Sequence, residues 1–368
     1  MRAGGRRGAA WLLLGLFGAL ATQAQPAAVQ QNNYPAAGRI GWANVKSYGA
    51  KGDGVTDDTQ AIRKAIRTRL NANRSTIVVY FPDGNYLVSD SLRERDGYYD
   101  GYVTFQGQST AGTVIKLKDN APGFQDVANP RPVVQTANGN ESFNQYLFNL
   151  TINTGSGNPG AVALDYITSN LGAVKNVVLT SGDGQGYCGL QMDRQYPGPG
   201  LIKNVTITGF QYGVRVSNGE YSMTFENLEL RNQSVLGIRN AGNEIILRGL
   251  TSDNAVPVIE TGNQLVLLDG TFRGGAGTPA IVNTGFAYVR NTTAEGYANV
   301  VSTNGTAVPG TTLQEYSSQA PTGAFPYPEG EQGKLMPNLP VKETPEYVNN
   351  DTTQWANVRD YGARPTNT

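Results

Sequence analysis

Two interleaved series of short apolar segments recur along this chain with one common period, and few architectures accept such a pattern. One series starts at Asn149 (Asn-Leu-Thr-Ile), Asn176, Asn204, Asn227, Gly249, Gly270 and Asn291, at spacings of 27, 28, 23, 22, 21 and 21 residues. The other starts at Ala161 (Ala-Val-Ala-Leu-Asp), Gly189, Gly213, Gly237, Pro257, Pro279 and Asn299, at spacings of 28, 24, 24, 20, 22 and 20. A repeat of that length marks a solenoid. The segments are β-branched, and no helical periodicity separates them. The expected fold is therefore all-β: a right-handed parallel β-helix in which like strands stack about 4.8 Å apart. Ile152, Val162, Leu190, Val214 and Ile238 are expected to stack inward. Asn at the turns tolerates a left-handed backbone and can ladder from coil to coil.

The flanks read differently. Arg2, Arg6 and Arg7 precede an apolar run from Ala9 to Ala21, and Thr22-Gln23-Ala24 offers small residues for cleavage. Residues 1–24 thus read as a signal peptide, and the chain is expected to be secreted, extracellular or periplasmic. No later apolar run is long enough to span a bilayer, so no membrane partner is expected once the signal is removed. Residues 25–39 read as a flexible N-terminus, 40–307 as the β-helix and 308–351 as a Pro-rich linker.

Lys plus Arg equals Asp plus Glu at 29 each, so no basic surplus points to nucleic acid. The chain has no His, which excludes Ser-His-Asp triads, Cys-His dyads and His-ligated zinc. Its one cysteine, Cys188, has no disulfide partner and reads as a buried small hydrophobe.

Before the repeats lies Tyr48-Gly49-Ala50-Lys51-Gly52-Asp53-Gly54-Val55-Thr56-Asp57-Asp58-Thr59-Gln60-Ala61-Ile62. This reads as a strand, a Gly-rich turn and a helix over 57–70 that caps one end of the solenoid. Thr56, Asp57 and Asp58 are its N-cap oxygens, and Ala61, Ile62, Ala65, Ile66 and Leu70 form its apolar stripe. Far downstream, Trp355-Ala356-Asn357-Val358-Arg359-Asp360-Tyr361-Gly362-Ala363-Arg364 repeats Trp42 to Lys51 with seven identities in ten, at an offset of 313. Residues 352–368 thus read as the start of a second, truncated β-helix module.

The 48–62 stretch resembles the opening motif of the pectate-lyase-superfamily β-helix. Its duplication, with Leu339-Pro340-Val341-Lys342-Glu343-Thr344-Pro345 in the linker, resembles more narrowly the tandem β-helix exo-β-1,3-glucanases of glycoside hydrolase family 55. That resemblance implies two β-helices side by side, glucan bound between them, and an inverting hydrolase whose acid, a Glu, lies largely in the second module. It transfers no catalytic acid to any position here and implies no cofactor. Two alternatives stay open. One is a non-catalytic, tailspike-like glycan-binding adhesin. The other is an acidic-polysaccharide lyase, for which calcium is the expected ion. In every case the partner is a polysaccharide.

The candidate residues lie on the second series. Aligning Ala161–Asp165 with Gly189–Asp193 places Asp165 and Asp193 side by side on adjacent coils. Two carboxylates that close suit an acid/base pair. Gln191, Arg215 and Arg239 align as an outward ladder suited to sugar hydroxyls or uronates. Tyr166, Tyr187, Tyr196, Tyr212 and Tyr221 cluster near coil turns; Tyr166, Tyr196 and Tyr212 are the candidate sugar platforms. Asp183 lies on the longest loop between strands and is a further candidate contact. Each of these residues also has an ordinary structural reading, as a solvated turn, a surface charge or core packing.

Overall fold

A computed structural model describes residues 42–67, 77–93, 103–140, 142–320 and 361–362. The expected signal peptide, the flexible N-terminus and the recurrence of the opening motif lie outside these residues, apart from 361–362. So does the linker beyond residue 320. The chain divides into one unit of residues 1–320 and another of 321–368.

The acids of the opening motif hold its turn more than they cap its helix. Asp53 Oδ1 accepts the backbone N–H groups of Val55 and Thr56 at 2.9 and 2.8 Å, and its Oδ2 accepts the Thr56 hydroxyl at 2.8 Å. Asp58 accepts the N–H groups of Lys51 and Gly52 at 2.7 and 2.8 Å, closing the Gly-rich turn. Only Asp57 serves the helix start, accepting Thr59 N–H at 3.1 Å. The helix is Thr59–Arg67, shorter than expected at its start, and it buries Ile62, Ala65 and Ile66 in the core.

From there the chain winds as a β-solenoid of about nine turns. Its strands form a 15-stranded and a 10-stranded sheet among the described residues. In the larger sheet, Val177 lies opposite Leu150 and Val205, and Val205 opposite Leu228, all in parallel register. Several of these strands bend at a residue in left-handed conformation. Asn149, Asn176, Asn204 and Asn227 have φ of 56, 55, 53 and 53°, and Gly249, Asp269 and Asn291 have 68, 60 and 49°. Asn176, Asn204 and Asn227 each donate Nδ2 to the Oδ1 of the asparagine one coil before, at 3.0, 3.0 and 3.1 Å. The ladder expected from the sequence is therefore present, with one adjustment. Gly270 pairs with Thr292, so Asp269 holds the bend and accepts Asn291 Nδ2 at 3.1 Å.

The smaller sheet turns its corner differently. Two consecutive residues face the core on each coil, as in Ala163-Leu164, where a simple strand alternates. On the next coil the first of the pair is Gly189, because a Cβ there would lie 2.2 Å from Ile207 Cγ2. Leu164, Leu190, Val214 and Ile238 then stack in register. Val162 and Cys188, paired one position earlier, are buried but stand outside the central core cluster. The inward role expected for Val162 is thus corrected.

The sheets also run past residue 307, where the linker was expected. Thr306–Ala307 pairs antiparallel with Asn299–Thr303, and Thr312–Ser317 pairs antiparallel with Phe286–Ala294.

Replacing Asn204 tests the ladder. Asn204→Ala loses two side-chain hydrogen bonds and keeps a strained left-handed backbone, so it should lower unfolding free energy by about 2 kcal/mol in urea titrations. Asn204→Gly, which relieves the backbone strain, should cost less. Acid tests the turn. The N–H groups of Thr56 and Val55 hold the Asp53 carboxyl at about 2, against 3.8 ordinarily. A lowered folded pKa stabilises above the ordinary value and is lost as pH falls through the folded one. Melting temperature should therefore drop between pH 4 and 2 in circular dichroism (a window of about two units), and Asp53→Asn should flatten that acid limb.

Candidate functional site

The outer face of the 10-stranded sheet carries the residues singled out from the sequence. Its ladder is longer than expected. Gln191, Arg215 and Arg239 are in register, and the same row continues to Asp165 and Gln135 on one side and to Glu260 on the other.

Asp165 and Asp193 do not form the expected side-by-side pair. Leu164 pairs with Leu190, which puts Asp165 opposite Gln191 and leaves Asp193 two positions out of step. The cause is the corner: Ala163-Leu164 must match Gly189-Leu190 in the core, so the alignment that began at Ala161 is shifted. The two carboxylates also have separate partners. Asp165 is buried, accepting Arg194 Nε at 2.9 Å and Gln135 Nε2 at 2.8 Å. Arg194 further donates to the carbonyls of Ala137 and Asp165. Both oxygens of Asp165 are occupied in holding three coils together, an arrangement that suits a structural ion pair and not an acid in turnover.

Asp193 holds Arg215 instead. Its Oδ2 accepts Arg215 Nε at 3.0 Å. The Arg215 guanidinium carbon lies 5.0 Å from the Tyr212 ring centre and 5.5 Å from that of Tyr187, and the two rings meet edge to face at 5.6 Å. Burial disfavours the charge on Arg215, but the Asp193 carboxylate outweighs it and raises the guanidinium pKa further. With Nε fixed and two rings bracing the plane, the terminal Nη atoms are preorganised donors that make no hydrogen bond among the described residues. Deeper in the cluster, Gln191 Oε1 and Asp193 Oδ1 are shielded and accept no hydrogen bond. The site thus combines a fixed cationic fork and two aromatic rings, and Arg239 is exposed on the next coil.

The remaining candidates fall elsewhere. Tyr166 is fully buried in the core and donates its hydroxyl to Gln145 O at 2.9 Å, so it is not a sugar platform. Asp183 is a coil fastener. Its Oδ2 accepts Gly157 N–H from the preceding coil at 2.6 Å, and its Oδ1 accepts Gln185 N–H at 3.0 Å. Tyr196 is half-buried with φ 65° in the loop after Met192. Cys188 is fully buried, and burial pushes its thiol pKa well up, which removes it as a nucleophile.

Sequence reasoning missed Arg194, whose role shows only once Asp165 is correctly placed. It placed Tyr187 in the tyrosine cluster but not among the candidate sugar platforms, although Tyr187 packs on Arg215 and Tyr212. No group of three or more His, Cys, Asp or Glu among the described residues is arranged to hold a metal.

Comparison with known proteins places these features in a family. Residues 42–260 match the family described as rhamnogalacturonase A/epimerase, pectate lyase-like. The chain is 39% identical over 111 residues to alginate lyase 7 of Azotobacter vinelandii, covering 30% of this chain and 12% of that one. It is 26% identical over 159 residues to a glucan 1,3-beta-glucosidase of Cochliobolus carbonum, covering 40% and 18%. The chain therefore spans less than a fifth of the length of these relatives. A solved structure, ORF18 of Geobacillus virus E2, superimposes with a TM-score of 0.54 at 18% identity, covering 72% of this chain and 59% of that one, which is a likeness of fold. The β-solenoid also resembles the modules of family 55 glycoside hydrolases. With parallel coils stacked in register and a family match over more than half its length, the chain belongs to the pectate-lyase-like β-helix family of rhamnogalacturonase A and epimerases.

Proposed function

We propose that this chain is a secreted, polysaccharide-active β-helix module of a glycoside hydrolase acting on β-1,3-glucan. In this reading the coils wind right-handed, the Thr59–Arg67 helix caps one end, and a second module follows the linker. The Arg215 face forms one wall of the glucan cleft, and the catalytic acid comes from the second module. The observation that carries the reading is the braced Arg215 fork beside Tyr187 and Tyr212, a combination of hydrogen-bond donors and ring faces that suits a pyranose. The glucosidase relative and the recurrence of the opening motif at 355–364 support the substrate and the tandem arrangement.

A second reading is favoured by one observation. Arg215 and Arg239 are direct neighbours across adjacent coils with no acid between them. Such a pair suits uronate carboxylates, and one relative is an alginate lyase.

Glucose release from laminarin by the full-length protein tests the first reading, with alginate as the parallel substrate. Arg215→Ala should weaken laminarin binding by this chain about tenfold in affinity electrophoresis, the loss expected for a charge-assisted hydrogen bond. Arg215→Lys keeps the charge without the fork and should recover little. Preference for alginate would replace the first reading with the second. Asp165→Ala should act differently. It leaves Arg194 without its carboxylate and should cost about 3–5 kcal/mol of stability, read by chemical denaturation. At equal folded fraction, binding should stay near wild type.

A further inference from the structure

The larger sheet carries a second polar surface that no part of this reading uses. Beyond the asparagine bend, outward residues of successive coils fall into two columns. One runs Thr206, Glu229, Thr251, Thr271 and Thr293. The other runs Thr208, Arg231, Asp253 and Arg273. Between the columns Leu230, Ser252 and Phe272 turn inward and are buried. An open groove of about 450 Å³ lies over Glu229, Arg231, Thr251, Asp253, Thr271 and Arg273.

We propose that this groove binds a single neutral glycan chain laid along the stacking axis, as a site separate from the Arg215 face. Charge selects the ligand class. Glu229, Arg231, Asp253 and Arg273 contribute two negative and two positive charges, so an anionic chain would meet both carboxylates and a cationic one both guanidinium groups. A polyol meets no such conflict, because its hydroxyls donate to the carboxylates, accept from the guanidinium groups and do both with the threonines.

Spacing suits a polymer lying along the columns. Each column repeats about every 4.8 Å, so a chain along the axis meets equivalent polar groups coil after coil, and the columns stand about 7 Å apart because they are two residues apart along each strand.

Part of the groove is already ordered. Glu229 Oε1 accepts Arg231 Nε at 2.9 Å, and its Oε2 accepts the Thr206 hydroxyl at 3.2 Å. The remainder is exposed, and Arg273 has an ion-pair partner there. Asp253 is exposed and its carboxylate accepts no hydrogen bond among the described residues. Arg273 lies 3.9 Å from Glu295, with both side chains mostly exposed. No aromatic ring lines the groove. Recognition therefore rests on hydroxyl positions, with affinity accumulating over several coils.

Isothermal titration of the full chain with laminarihexaose and with an alginate hexamer tests the proposal. Two variants alter the groove without touching the core: the double substitution Asp253→Ala with Arg273→Ala, and Thr251→Trp, which fills it. Both should weaken laminarihexaose binding at one class of sites at least tenfold, while Arg215→Ala leaves that class intact. Circular dichroism should show all three variants folded. The proposal falls if both groove variants bind laminarihexaose within twofold of wild type at every site. It also falls if they lose the alginate hexamer equally. In the first case a loss confined to Arg215→Ala leaves the glucan reading standing, whereas no binding by the wild-type chain overturns both.

Discussion

Hydrogen bonding between coils is the constraint on which the rest of this structure depends. A strand in a parallel solenoid finds partners for its backbone N–H and C=O groups only on the coils before and after it, so register must hold while coil length varies. Bends must then stack on bends. In the larger sheet the bend needs a positive φ, which Asn, Asp and Gly tolerate, and the side chains of successive asparagines satisfy one another there. In the smaller sheet the bend needs a residue without Cβ wherever a neighbouring core side chain leans in, as Ile207 does toward Gly189. Differences in coil length are pushed into the loops, where Asp183 reaches back to Gly157 to fasten one loop to the previous coil.

This division explains what could be read in the sequence. The period, the left-handed bend residues and the stacks through Leu190, Val214 and Ile238 recur over successive coils, so the backbone requirement is written many times over. The Gln191–Arg215–Arg239 row was legible because the coils joining them keep one spacing. The Asp165–Asp193 pairing failed because Ala161-Val-Ala-Leu-Asp165 and Gly189-Leu-Gln-Met-Asp193 look alike, yet the core matches Ala163 to Gly189. Nothing in a linear pattern tells which small residue must sit beneath Ile207. Tyr166 was misplaced for a related reason. Its ring belongs to the core and its hydroxyl to Gln145 O, a partner about one coil away that only the folded path identifies.

Two ion pairs on the outer face of the smaller sheet show how context divides one chemistry into two roles. Asp165 and Arg194 spend nearly all their capacity on each other and on neighbouring backbone. Such a pair contributes to position more than to net stability, since desolvation offsets much of the attraction, but removing one partner strands the other. Asp193 takes only the Nε of Arg215. The rings of Tyr187 and Tyr212 lie against the guanidinium, and its Nη atoms make no hydrogen bond among the described residues. The difference lies in how many coils each arginine reaches across, because Arg194 reaches back two coils to Ala137 while Arg215 reaches back one, to Asp193 and Tyr187.

The outward columns are also chemically independent of the core. Inward positions must be apolar or small to stack, whereas an outward residue is limited only by its neighbours about 4.8 Å away on either side. Threonine, arginine and aspartate can therefore replace one another along a column with little effect on winding, and two sheets of one solenoid can present different charge patterns. The Arg215 row places two cations together, while the Arg231 column alternates sign through Asp253 and Arg273 and the Glu229 column is mostly threonine. On such a scaffold, column residues can change with coil registry left intact. Similarity in the core therefore reports fold, and any ligand has to be argued from the residues that face outward.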